Sequence, residues 1–412
     1  MRHSMFALVS ILAITSAAVA TNPPQVLHIL AIGEVDPSYC PIYGFCAAEP
    51  SLDVTLAVAR SMHGTNFGEK ELQRMIRLYV PRNLEAMLRY NFIIINQPII
   101  RLFPLSSLEA MYSAIADHGV GSLCFMESQS ASIYVPWLET RLSECYPYDH
   151  YKNIAVGAPD GQPYNLEVVR DPALPPLLRP FLSAGIENVK PFGYARPTFP
   201  REGATIWAYC RTNYWSYRGF TKFPLFISWR YGQARALTWV TADQFDSPMW
   251  RAVDGRERYQ LDIFTGIVWL SSGRSLPSNP LLVHQIRNSF SQITARIGTS
   301  YAVLDFIDEF GANTRRLETR IATVQKMKEE AGKLYLEHRF DEAASKIQET
   351  FSELDRIDSE CVELKRRALL WVHLVEWLGV SSTLALTGSV IWAVMVKRKL
   401  YRPVESTRMA AS

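Results

Sequence analysis

Residues 91–98 read NFIIINQP, a continuous β-branched run closed by a proline. A run apolar at every position, rather than at alternate ones, suits a central parallel strand covered on both faces. On its N-terminal side, Glu69 to Arg89 carries Leu72, Met75, Ile76 and Tyr79 at helical spacing, and two short apolar runs precede it, Gln25 to Gly33 and Asp53 to Arg60. On its C-terminal side, Leu105 to Asp117 returns to helical period with Leu108, Met111, Tyr112 and Ile115 on one side. His118-Gly119-Val120-Gly121 then leads into the strand-like Ser122 to Met126. Strands alternating with helices predict right-handed crossovers and a doubly wound, mostly parallel sheet.

Beyond Cys145 the pattern changes. Pro- and Gly-rich loops separate strand candidates at Leu166 to Arg170, Ala204 to Cys210, Leu225 to Trp229 and Arg235 to Thr241, with Tyr231-Gly232-Gln233 as a hairpin turn between the last two. These strands add an antiparallel portion to the sheet. Tyr259 to Leu270 has helical spacing and is expected to pack back on it.

From about Asn288 Pro and Gly nearly vanish and charges rise. Helical periodicity over 288–371 predicts a stalk, folded as a hairpin turning near His338, with Ala331 to Leu336 and Arg339 to Ala344 resembling one tetratricopeptide-like pair. Residues 377–396 are apolar apart from Ser and Thr hydroxyls and are followed by Lys397-Arg398-Lys399. About 20 residues cross a hydrocarbon core of roughly 30 Å, and flanking basic residues mark the inner side. His373 and Glu376, three apart, read as the wet edge of this span. Arg2 and His3, an apolar run from Phe6 to Ile14 and Ala18-Val19-Ala20 form a secretory signal pattern over 1–20. The expectation is a single-pass protein of the cell membrane, with a domain over 21–287 outside and the tail 397–412 cytoplasmic.

Lys+Arg total 43 against Asp+Glu 40, a balance that argues against a nucleic-acid partner. The six cysteines are too few to form a scaffold, although Cys40 and Cys46 could close a small ring and Cys124, inside a strand pattern, reads as a buried thiol. No Cys-x-x-Cys pair or His cluster appears, so neither a metal nor another cofactor is expected.

Two stretches carry a family resemblance: His118 to Ser130 (HGVGSLCFMESQS) and Pro224 to Asp243 (PLFISWRYGQARALTWVTAD), with Trp250 following. In this order they resemble the glutamine amidotransferase-like domain, a relative of class I amidotransferases found in membrane-associated proteins. The resemblance covers roughly Gln25 to Gly273 and implies a flavodoxin-like fold. Class I amidotransferases present a catalytic cysteine on a Gly-x-Cys-x-Gly elbow, activated by a downstream His-Glu pair. Here Glu127-Ser128-Gln129-Ser130 stand at the equivalent strand end. A His-Pro-Leu-Leu-like step of related sequences appears as Pro175-Pro176-Leu177-Leu178, without the imidazole. The departures imply that glutaminase chemistry is absent.

Two classes of function follow. In the first the chain is a non-enzymatic anchored module that binds a ligand or a partner, either a protein or a surface polymer. Tyr214, Trp215, Tyr217 and Arg218 then form its stacking surface, and the stalk's charged face could support self-association. In the second it is an anchored hydrolase or transferase, with Ser128 as nucleophile and Glu127 and Asp243 as an acidic pair at strand ends. The plainer readings are a helix-capping loop serine and solvated strand termini.

Overall fold

The computed structural model describes residues 26–37, 40–61, 67–125, 136–148, 165–188, 199–211, 222–242, 259–310 and 313–408. The chain divides into two compact units. One is built on the sheet and runs to Leu276. The other comprises Ala47–Pro50, Pro180–Ala184 and the chain from Pro277 onward.

The first unit is an α/β structure on one mixed sheet of eight strands, in the order β2-β1-β3-β4-β8-β7-β6-β5. β1 (Leu27–Gly33), β2 (Leu52–Val58), β3 (Phe92–Asn96), β4 (Gly121–Phe125) and β8 (Ala236–Thr241) pair in parallel. β5 (Asn165–Val168), β6 (Thr205–Arg211) and β7 (Lys222–Tyr231) continue the sheet antiparallel from β8. The apolar runs are central for the expected reason: every residue of β3, β4 and β8 is buried. Polar groups inside them are satisfied, as where the Ser122 hydroxyl donates to the Ile93 carbonyl at 2.9 Å.

Helix α1 (Ile42–Ala48) lies in the segment read as a loop closed by two cysteines. Ile42 and Cys46, four apart, both face inward, and Cys40 and Cys46 are separate buried thiols, so the proposed ring is not formed. Burial pushes the Cys40 thiol up to about 12. The single helix expected over 69–89 is two, α2 (Glu69–Tyr79) and α3 (Leu84–Met87). Pro81 cannot continue α2, and the Asn83 side chain restarts the helix by accepting from the Ala86 amide at 2.8 Å. α4 (Leu105–Ala116) connects β3 to β4, and α5 (Gln260–Ser271) follows β8, with Trp269 donating to the Ser51 hydroxyl at 3.0 Å. The β7–β8 turn requires glycine: Gly232 has φ +72°, and a Cβ there would stand 2.2 Å from the Ala116 carbonyl oxygen.

The second unit is a helical bundle of α6 (Pro280–Asp308), α7 (Arg315–Leu336) and α8 (Phe340–Arg408). Asn279 caps α6 and Pro280 occupies its first turn, so helix begins ahead of Asn288, where the composition changes. α7 and α8 meet at a turn in which His338 has φ 61°. Along α8, Ala343, Ile347, Thr350, Leu354, Ile357 and Cys361 are buried at alternating spacings of four and three, a coiled-coil seam. Arg296 reaches Asp355 and Asp358, and Lys365 lies over the Phe306 ring, so α6 and α8 run in the same direction. Pairs from Arg320 to Glu353 and Glu360, and from Glu330 to Lys346, place α7 antiparallel to α8. One end of the bundle is closed by a buried triad. Arg287 pairs with Glu49, and the Tyr335 hydroxyl accepts from Arg287 at 2.9 Å and donates to Glu49 at 2.7 Å. Burial, then the Glu49 charge, holds the Tyr335 hydroxyl well above its ordinary range.

Past Ala368 the helix has no packing partner among the described residues. α8 holds one stretch long and apolar enough to cross a membrane, and none of its apolar window is buried.

Candidate functional site

The parallel strands deliver their carboxyl ends to one rim. The strand order reverses between β1 and β3, because β2 lies on one side of β1 while β4 and β8 lie beyond β3. At such a reversal the loops leaving neighbouring strands diverge, and a crevice opens outside the strand ends.

Gly33 ends β1 with φ +118°, and a Cβ there would stand 1.8 Å from the Asn96 carbonyl oxygen, so only glycine lets β1 and β3 approach this closely. That approach is stitched by hydrogen bonds. The Glu34 amide donates to the Asn96 carbonyl at 2.8 Å, and the Asn96 side-chain amide donates to the Glu34 carbonyl at 2.6 Å. From the end of β2, the Ala59 amide donates to the Gly33 carbonyl at 2.8 Å, and the Arg60 guanidinium donates to the Gln97 side chain. Gln97 sits in the left-handed region at φ 51°, a conformation uncommon for a residue other than glycine. Arg60, Asn96 and Gln97 are all buried. A desolvated cation and two carboxamides at a strand crossover can bind and orient a polar or anionic ligand. They offer no nucleophile of their own.

The seven residues singled out from the sequence, Glu127, Ser128, Asp243, Tyr214, Trp215, Tyr217 and Arg218, lie outside the described residues. What precedes them in the chain is described: β4 and β8 are neighbours, with Phe125 opposite Thr241, so the chain enters 126–135 and 243–258 from adjacent strand ends. Cys124 is one residue short of that rim. It is buried inside β4, and burial pushes its thiol up, which disfavours the thiolate a nucleophile needs. Leu177 and Leu178 are core residues, and a Cβ on Gly266 would meet Leu177 at 2.4 Å.

Of the aromatic cluster, Trp207 is core, donating to the Ser228 hydroxyl at 2.8 Å and lying 5.0 Å from the Trp239 ring. Tyr209 is half-buried, with the Lys222 ammonium 4.2 Å over its ring. It lines a groove of about 900 Å³ beside the edge strand β5. There Glu167 holds Lys222 at 2.5 Å and Glu187 holds Arg170 at 2.8 Å, while Glu187 also accepts from the Val168 amide at 3.0 Å. The last contact occupies a backbone donor on the sheet edge, which shields it from pairing with another strand. Lys222 holds the Glu167 carboxyl below its ordinary range.

The strand-end group Gly33, Arg60, Asn96 and Gln97 was not singled out from sequence, yet it left a signal. Gly33 and Asn96-Gln97 close two mainly apolar runs, which is where open sheets carry their binding groups. Among the described residues no group of three or more His, Cys, Asp or Glu could hold a metal ion. No protein-family model, no curated protein and no solved structure matches the chain.

Proposed function

We propose that this is a single-pass, membrane-anchored protein whose α/β unit acts outside the cell as a ligand- or partner-binding module. In this reading the unit is a doubly wound, amidotransferase-like domain without the glutaminase cysteine elbow, and the bundle is the stalk that carries it. One observation carries the reading: α8 leaves its bundle and continues as a bare apolar helix, ending at Lys397-Arg398-Lys399. An apolar stretch of this length left in water is strongly unfavourable, and a bilayer is the solvent that removes the cost. The strand order β2-β1-β3-β4-β8, with its reversal between β1 and β3, supports a binding site outside those strand ends. The burial of Cys124 argues against a thiol nucleophile at that end of the sheet.

The test uses the intact protein in its native membrane. The protein is expected to stay in the bilayer after an alkaline wash, with the α/β unit digestible by protease added outside intact cells. Purified in nanodiscs, it is expected to release no ammonia from glutamine. Release into the wash defeats the anchor, whereas Ser128-dependent hydrolysis of any ester or amide substrate would shift the reading to the anchored hydrolase or transferase.

A further inference from the structure

We infer that the end of the bundle level with Ala368, where α6 ends, sits directly on the lipid interface, with no water-exposed length of stalk between bundle and bilayer. The inference rests on the membrane-anchored reading and adds where the membrane begins. The bundle's last buried residue on α8 is Ala368. Directly after it, Leu369, Leu370, Trp371, Leu374 and Val375 are all exposed, well before the span expected from Trp377.

The bare apolar surface therefore runs from Leu369 to Val396, about 28 residues or roughly 42 Å at 1.5 Å per residue. A hydrocarbon core of roughly 30 Å takes about 20 of these, while core and polar interfaces together measure about 40–45 Å. The bare length therefore matches the core plus both interfaces, with Lys397-Arg398-Lys399 at the outer edge of one and Leu369 at the outer edge of the other. The chain enters the near interface through 369–376. That segment is built for an interface: Trp371, with Trp377 just beyond, supplies amphipathic rings, and His373 and Glu376, 3.6 Å apart, supply the polar pair.

The two ends of the bundle differ in the same sense. The far end buries its charge in the Glu49–Arg287–Tyr335 triad. The end level with Ala368 instead leaves Phe306 39% exposed, edge-on to Phe310 at 5.0 Å, with Lys365 over its ring. Acidic groups also stand there, Asp305, Asp308, Glu309 and Glu363 beside Arg315, Arg316, Lys365, Arg366 and Arg367. With both signs present, apolar contact at the interface carries the seating rather than attraction to one headgroup charge.

Spin-label depth measurement on the full chain in nanodiscs tests this, with a single cysteine introduced at the exposed positions Leu370, Leu386 or Glu349. The native cysteines are buried and the unsubstituted protein supplies the background. The expected result is an oxygen-rich signal at Leu386, strong access of a water-soluble nickel chelate at Glu349, and several-fold lower nickel access at Leu370. Nickel access at Leu370 equal to that at Glu349, with Leu386 still oxygen-rich, overturns the inference and leaves the anchor standing. Nickel access at Leu386 as well overturns both.

Discussion

The two halves of a single helix, α8, are built by different rules. From Phe340 to Ala368 it carries one apolar seam at four-three spacing, and its other faces are charged and clamped to neighbours: Arg320 to Glu353 and Glu360, Arg296 to Asp355 and Asp358, Lys346 to Glu330. From Trp377 to Val396 it is apolar around its whole circumference apart from Ser and Thr hydroxyls, and from Leu369 onward it packs against nothing described. A seam needs a partner helix to cover one face, whereas all-round apolarity needs a solvent that covers every face. The backbone does not register the change, because the helix is continuous through both.

The largest expected effect separates the halves by packing. Leu354→Ala removes a side chain that is fully buried in the seam and should cost about 2–5 kcal/mol of bundle stability in denaturant unfolding followed by circular dichroism. Leu384→Ala removes a side chain that is 68% exposed, and should change the same midpoint by less than about 0.5 kcal/mol. Equal effects at the two positions would mean that the bare half is packed against something in the folded protein. Next in size is a charge placed in the bare half. Leu386→Arg should disfavour membrane insertion by about 2.5–3.5 kcal/mol, read as loss of the alkali-resistant fraction, while the bundle's unfolding is unchanged. If insertion persists undiminished, that half does not cross the hydrocarbon core.

Much of this architecture is legible in the residues, and what is not has physical causes. Local periodicity finds the buried strands, the parallel-to-antiparallel change, the Gly232 turn and the turn at His338, because each depends on neighbours in the chain. Helix α1 escapes it. Seven residues bury only Ile42 and Cys46, and two cysteines in a Pro/Gly/Tyr-rich segment read more readily as a ring than as a turn of helix. The insertion of β8 beside β4 escapes it too, since strand order is a long-range choice among runs of similar composition. The strand-end group is hidden for the same reason. Arg60 and Gln97 meet only when β2, β1 and β3 stand side by side, although Gly33 and Asn96-Gln97 mark their strand ends in the sequence.

A middle-sized effect tests whether the packed half depends on its clamps as well as its seam. Arg320 is 22% exposed and donates to two carboxylates, Glu353 and Glu360. Its replacement by Ala should cost roughly 1 kcal/mol, at the upper end for a partly exposed pair because one guanidinium serves both partners. A cost comparable to that of Leu354→Ala would make the bundle primarily electrostatic, and its stability would then fall steeply with added salt.

The smallest effect lies at the boundary between the halves. Glu363 accepts from Arg367 and Arg366 in the last polar turns before the bare helix, and these bonds, Arg367 first, hold its carboxyl below the ordinary range. A depressed carboxyl contributes stability above its unfolded value and loses it as pH falls through the folded one. The difference between the unsubstituted protein and Glu363→Gln should therefore be present at neutral pH and be lost as the pH falls through the folded-state value. Because these side chains are exposed, the difference at neutral pH should be no more than a small shift of the unfolding midpoint. A large shift that survives acid could not come from the ion pair, and would mean that Glu363 makes a packing contact that its exposure does not show.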